Sequence, residues 1–205
     1  MAGLLCEVPS RVLKSTWHKK WQIHRRLRPE EMAGLVEVTL RQAPGRYNGI
    51  LHPSLLSSNV LGRVQSYNSG SFLLPMAFPE GCPTHPSYTA GHATVAGACV
   101  TILKALFDTE NTIIQNPVVP TPDGQDLVPY VGTPLTVEGE LNKVASNVAT
   151  GRNVAGVHWR SDAYQSLRLG QAMAITILRD YRALHNEVGP FFYNFRGFDG
   201  ERYII

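Results

Sequence analysis

The stretch "PTHPSYTAGHATVAGACVTILKALFD", Pro83 to Asp108, changes character at Gly91. Its first part is polar, with two histidines and a row of hydroxyl side chains; its second part is apolar almost all round. A helix that is apolar on every side has to be buried, so the second part predicts a central helix from near His92 to near Asp108. The first part places His85 and His92 seven residues apart, with His92 opening that helix. Gly91 leaves backbone N–H groups open at a helix start, where the dipole favours an anion. His92 would stand beside that anion as proton donor or acceptor. Taken alone, His92 could equally cap the helix or fill the core, and His85 could be an ordinary loop histidine.

Working outward, three further segments read as long helices. One runs from about Ser10 to Leu27, with Ser10 as its cap and Pro29 as its stop. Another covers Thr136 to Thr150, capped by Thr136, with Glu138 and Glu140 in the first turn where the dipole favours anions. The last begins at Ser161, and Leu167, Gly170, Ala174, Ile177, Tyr181 and Leu184 step along one face of it. A short helix is predicted around Ser54 to Gln65. "NPVVPTPDGQDLVPYVGTP" holds five prolines and reads as a loop with room for a short hairpin. The tail "GPFFYNFRGFDGERYII", aromatic and glycine-rich, should pack onto something. With no internal repeat and no clear linker, residues 1–205 read as a single, mainly α domain with long loops.

Composition narrows the classes. A chain of 205 residues with 43% hydrophobic content can build a real core. Charged residues make up 17%, against about 25% in typical soluble chains, so part of the surface is expected to be covered by a partner subunit or by further polypeptide. A net charge of +3 is too small to argue for nucleic acid. Cys6, Cys82 and Cys99 have no metal-ligand spacing, and their odd number closes no disulfide framework. No segment reaches the roughly 18 to 20 apolar residues of a membrane span. The N-terminus makes a poor signal peptide, so the reading is of a soluble protein whose compartment stays open; an upstream signal would direct it to secretion, periplasm or cell wall.

Ionisable residues gather in three clusters at helix ends, where function often collects. In "HKKWQIHRRLRPEE", Lys20 and Arg28 are eight residues apart. On a helix they differ by about 80°, so both long side chains could reach one spot. Trp21 and Ile23 imply that one side of this segment is buried; the plainer reading is a solvated basic face or a phosphate-backbone patch. The second cluster is "THPSYTAGH". In the third, "GRNVAGVHWRSD", Arg152 precedes His158 by six residues and Asp162 follows it by four. A carboxylate on one ring nitrogen fixes the tautomer and leaves the other nitrogen as ligand or nucleophile. The plainer alternative is a surface ion pair between Arg160 and Asp162. Together the clusters supply three cations, an N–H from Gly91 and two imidazoles from His92 and His158. That inventory suits a tetrahedral or trigonal-bipyramidal oxyanion.

The order of Lys20 to "RP" (Arg28, Pro29), "PSYTAGH" (Pro86 to His92) and "RNVAGVHWRSD" (Arg152 to Asp162) resembles the signature of the vanadium-dependent haloperoxidases and of the acid phosphatases that share their fold. His85 and the flanks "WHKKWQIHRRLRPEE" and "HATVAGACVTILKALF" look like the bromoperoxidase branch of marine algae and cyanobacteria. This resemblance implies a helical bundle that binds vanadate and oxidises bromide or iodide with hydrogen peroxide, releasing a hypohalous-acid equivalent that halogenates diffusible organic acceptors. It also implies a homo-oligomer. By the same resemblance His158 is the vanadium ligand, oriented by Asp162; Lys20, Arg28, Arg152 and Gly91 hold the vanadate oxygens; His92 is the acid–base, and His85 tunes proton and halide handling. The alternatives are an acid phosphatase working through a phospho-histidine at His158, or an inactive truncated homologue.

Two departures from the pattern carry expectations. Ala90 stands where the family has serine, removing a hydrogen bond worth roughly 1.5 to 3 kcal/mol, or about 10- to 100-fold in cofactor affinity. Thr89 beside it is expected to point elsewhere. Haloperoxidases of this branch are also much longer, so the chain is expected to be their C-terminal catalytic part, without the N-terminal half.

Overall fold

The computed structural model describes residues 2–47, 49–184 and 192–205. It is mainly helical, with two two-stranded antiparallel hairpins among the described residues. The chain divides into two compact units: residues 1–14, 92–148 and 167–205 form the first, and residues 15–91 with 149–166 form the second.

The first unit is organised by its apolar core. Helix α1 (Ala2–His18) contributes Leu4, Val8 and Val12. Helix α5 (Gly91–Leu106) contributes Ala98 and Ile102, and α7 (Arg160–Leu184) contributes Ala174, Ile177 and Leu178. Helix α1 therefore starts well before the expected Ser10 and carries Pro9 inside it. A proline in a helix interior costs about 3 kcal/mol. Burying Leu4 and Val8, at about 1.5 to 3 kcal/mol per apolar side chain, offsets it.

Gly97 and Gly170 set how closely α5 and α7 approach. A methyl group added at Gly97 would lie 2.3 Å from the carbonyl oxygen of Leu167, and one at Gly170 would lie 2.1 Å from that of Thr94. Backbone meets backbone at both points, which only glycine permits. The predicted stripe on α7 ends early: Leu184 is 77% exposed.

The predicted cap of α6 (Val137–Val154) is present, since Gly139 N–H donates to Thr136 Oγ1 at 3.1 Å. The proline-rich connection forms an exposed hairpin, β1 (Val118–Pro120) with β2 (Leu127–Pro129). In the tail, β3 (Asn194–Arg196) pairs with β4 (Arg202–Ile204), and Tyr193 and Phe195 enter the core. Residues 189–191 of the quoted tail lie outside the described residues.

The second unit differs more from the expectation. After α1 the chain continues as a π-helical segment, Lys19–His24, and breaks at Arg25, which is left-handed at φ 44°, ψ 40°. Pro29 is not a stop: it is the first residue of α2 (Pro29–Glu37), where its missing N–H costs nothing. Arg28 is the extended residue ahead of it, and its N–H donates to Glu31 Oε2 at 2.7 Å. A second π-helical segment (Val38–Gln42) and short helices α3 (Pro53–Leu56) and α4 (Asn59–Tyr67) follow. The face expected to be buried is not: Trp17, Trp21 and Ile23 are each at least half exposed. Among the described residues no helix is long and apolar enough to cross a membrane. All three cysteines are free, with Cys6 exposed and Cys82 and Cys99 half-buried.

Candidate active site

Within the second unit, three separate segments converge: residues 20–28, the loop 85–87 and the turn 152–162. Lys20 and Arg28 do share one spot, though not by helical periodicity. Lys20 sits in the π-helical segment and Arg28 lies beyond the left-handed break, so a chain reversal brings them together. Both are essentially inaccessible, at 1% and 0% exposed.

Neither buried cation has a carboxylate partner among the described residues. The Lys20 ammonium donates to the carbonyl oxygens of Pro86 and Ser87. Arg28 spreads its guanidinium over four acceptors. Nε donates to His85 O at 2.8 Å, Nη1 to Val157 O at 2.7 Å, and Nη2 lies 3.1 Å from His85 Nδ1. Its Nη1 also lies 3.4 Å from His158 Nε2. Burial, and secondarily the Arg28 charge, pushes the Lys20 ammonium down to about 8. Arg28 is likewise lowered, by burial first and with Arg152 contributing as a nearby like charge. Arg152, in the last turn of α6, has a buried Nε with no partner among the described residues.

The turn that delivers His158 depends on Gly156. At φ 80° it adopts the left-handed conformation that closes the end of α6, and a side chain there would press on Met76 Sδ. His158 then enters the site 6% exposed. Its Nδ1 lies 3.1 Å from Asp162 Oδ2, one turn along at the start of α7. Asp162 is fully buried and saturated with donors. Oδ2 also accepts from Trp159 N–H at 3.0 Å and from the Ser87 hydroxyl, while Oδ1 takes Arg26 Nη1 at 2.9 Å. Burial would raise this carboxyl, but the donors from His158, Ser87, Trp159 and Arg26 outweigh it and hold the group below the usual range. The plainer pairing of Asp162 with Arg160 is replaced by Arg26. Burial pulls the His158 imidazole down and keeps it neutral, partly opposed by Asp162.

His85 is exposed on one side and is lowered by burial of the other, together with the Lys20 and Arg28 charges. Gly91 is the first residue of α5. His92, the second, is exposed and falls in the other compact unit. Ala90 is buried, and its N–H donates to Ser166 Oγ at 2.8 Å. Thr89 is fully buried, with a hydroxyl that has no partner among the described residues. Sequence reasoning passed over Ser87 and Arg26, although both stand inside motifs it quoted. Nothing in their spacing revealed that they meet at Asp162.

Among the described residues, two fully buried cations without counter-ions, a buried guanidinium nitrogen without an acceptor, and an oriented neutral imidazole have the chemistry to suit an anion rather than a bare cation. Among the described residues no group of three or more His, Cys, Asp or Glu could hold a metal ion directly. These donors fit an oxyanion such as vanadate or phosphate. Fold and site thus define a helical protein with a buried cluster of cations beside an oriented imidazole.

The chain belongs to the family described as the VCPO second helical-bundle domain, whose model matches residues 63–187. It is 47% identical over 216 aligned residues to a vanadium-dependent bromoperoxidase from Corallina pilulifera, covering 97% of this chain and 35% of that protein. It is 41% identical over 202 residues to one from Ascophyllum nodosum, covering 92% of this chain and 35% of the relative. The homohexameric structure of the second vanadate-dependent bromoperoxidase of Ascophyllum nodosum superimposes with a TM-score of 0.80 at 33% identity, over 98% of this chain and 39% of that one. The chain therefore spans about a third of the length of the curated relatives it matches.

Proposed function

We propose that this chain acts as a vanadate-dependent bromoperoxidase, oxidising bromide or iodide with hydrogen peroxide to a hypohalous-acid equivalent that halogenates diffusible organic acceptors. The observation that carries the reading is the pair of inaccessible cations, Lys20 and Arg28, left without carboxylate partners among the described residues, with the His158 Nε2 facing Arg28. Burying an uncompensated charge is costly, so the arrangement makes sense only with an anion bound.

In this reading Lys20, Arg28, Arg152 and the Gly91 N–H would hold the vanadate oxygens, and His158 would be the ligand to vanadium. Bound vanadate would supply a Lewis-acidic centre that activates hydrogen peroxide to take two electrons from the halide, without changing its own oxidation state. Asp162 fixes the His158 ring through Nδ1, so its Nε2 faces Arg28. Arg28 holds His85 through Nδ1 and would also neutralise an oxygen of the bound anion. Burial, and then the Lys20 and Arg28 charges, favour neutral His85, free to relay a proton or meet an incoming halide on its exposed side. His92, following Gly91 in the chain, is the acid–base of the proposal.

The proposal extends to organisation: residues 1–205 work as one catalytic region of the C-terminal type, in a homo-oligomer, with no nucleic-acid partner. Exposed Trp17, Trp21 and Ile23 offer apolar surface for a subunit contact.

The test is bromination of a phenolic indicator dye by hydrogen peroxide and bromide, with and without added vanadate. A vanadate-dependent rate that disappears in His158→Ala supports the reading. A folded sample with no such rate, but with aryl-phosphate hydrolysis that vanadate inhibits, would replace it with the phosphatase.

A further inference from the structure

Ser87 and Arg26 have no role in the reaction as described, yet they meet on the one carboxylate that touches the proposed ligand histidine. Asp162 is fully buried, and a carboxylate can rotate to offer either oxygen. Arg26 removes that freedom: its Nη1 holds Oδ1 at 2.9 Å and Ser161 Oγ at 3.0 Å. Oδ2 is thereby kept on His158 Nδ1 and Trp159 N–H. Arg26 is steadied in turn by its guanidinium lying 5.8 Å from the centre of the Trp159 ring, while the indole N–H donates to Leu27 O at 2.9 Å.

Ser87 closes the other side. Its hydroxyl proton goes to Asp162 Oδ2, so at 3.3 Å from His158 Nδ1 its oxygen can only accept. Nδ1 then faces two acceptors, and Nε2 faces Arg28 Nη1, which can only donate. The opposite tautomer would set a proton against a guanidinium and a lone pair against a carboxylate. Arg26 also places Ser87 directly, because its carbonyl oxygen accepts the Ser87 N–H at 2.8 Å. One residue thus fixes both neighbours of Nδ1, one with its backbone and one with its side chain.

We propose that Arg26 and Ser87 are positioning residues which act through Asp162 to hold His158 in a single tautomer and ring orientation, with Nε2 presented to the oxyanion. The role in oxyanion binding rests on the function proposed above; the tautomer does not. Losing such outer support typically costs about 10- to 100-fold in affinity at ligand histidines. Arg26 is amenable to substitution, because its side chain is 43% exposed and borders a cavity of about 350 Å³ lined by His24, Tyr88, Ser161 and Gln165. Water can fill the space it leaves.

The experiment uses the full chain with 15N-labelled histidine. Long-range 1H–15N spectra report the His158 tautomer without added ligand, and calorimetry with inorganic phosphate, then inorganic vanadate, reports binding. Wild type should show one protonated Nδ1 and one bare Nε2. Arg26→Met and Ser87→Ala should move both 15N shifts toward a tautomer mixture and weaken phosphate and vanadate binding about tenfold or more. Arg26→Lys, which keeps the charge, should recover most of the affinity and the wild-type shifts. Wild-type shifts and affinities within about twofold in both Arg26→Met and Ser87→Ala would overturn the proposal. If Arg26→Met does not fold, Ser87→Ala with Arg26→Lys decides the question by the same two measurements. A tautomer lost in the variants, in a protein that never brominates, would leave this inference standing and remove the bromoperoxidase reading instead.

Discussion

Lys20 allows the charged site to be tested without any cofactor. Its ammonium is 1% exposed and its pKa is pushed down to about 8 from an ordinary 10.5. A fall of roughly two and a half pH units corresponds to about 3 kcal/mol. Because the folded value lies below the unfolded one, the unfolded chain holds a proton between pH 8 and 10.5 that the folded chain has released. Stability therefore rises with pH across that window, and the full cost of the buried charge applies below pH 8. Lys20→Met has no such proton. The difference in unfolding free energy between wild type and Lys20→Met, measured by urea titration at steps from pH 7.5 to 10.5, should grow in favour of wild type by about 3 kcal/mol. Subtracting the variant cancels the tyrosines and cysteines that titrate in the same range. Phosphate should act in the opposite sense, by restoring a partner to the ammonium. At a hundredfold excess over its Kd it should stabilise wild type by about 2.7 kcal/mol at pH 7.5, with the gain fading above pH 8 and small throughout in the variant. A difference curve flat to within about 0.5 kcal/mol would show that Lys20 is not a buried, uncompensated cation, and the anion site would go with it.

Asp162→Asn should cost about 1.5 to 3 kcal/mol at neutral pH, because the buried carboxylate's charge-assisted hydrogen bonds from Arg26 and Trp159 are weakened while Arg26 itself stays partly solvated. Asp162 lies below the usual carboxyl range, so its contribution is present at neutral pH and lost as pH falls through its folded value; the variant should lack that part of the acid limb in urea titrations from pH 7 to 3. Gly170→Ala should destabilise by several kcal/mol, or force α5 and α7 apart, since its methyl group would lie 2.1 Å from Thr94 O. Gly151→Ala, with open space around it, should be neutral or stabilising by up to about 1 kcal/mol, and urea titration of both glycine variants checks the contrast. Ala90→Ser should strengthen vanadate binding by about 10- to 100-fold in calorimetry. No gain there would mean that the buried Thr89 hydroxyl, without a partner in this structure, already serves the anion.

Much of the fold could be read because it rests on local rules. The all-round apolar run after Gly91 gave α5 to within a residue or two at each end, and the Thr136 cap gave the start of α6. Misreadings fell where long-range burial overrode a local signal. Pro9 should have kept a helix from starting before Ser10, but the core around Leu4 and Val8 carries α1 through it. Pro29 was read as a stop and is a start, because the chain had already broken at Arg25. Leu184 continues the period of its helix but packs against no core.

The sequence by itself determined which groups are available: three long cations, two histidines seven residues apart, and His158 spaced from Asp162 by one helical turn. That short spacing keeps carboxylate and ring within reach, although His158 lies in the turn ahead of α7 rather than on its face. Only the tertiary structure decided that Lys20 and Arg28 are buried without counter-ions, and that Arg26 and Ser87 meet at Asp162. Those contacts join residues some 75 to 136 positions apart. Local periodicity carries no information over that range. Whether a charge is solvated or trapped is set by the segments that fold over it.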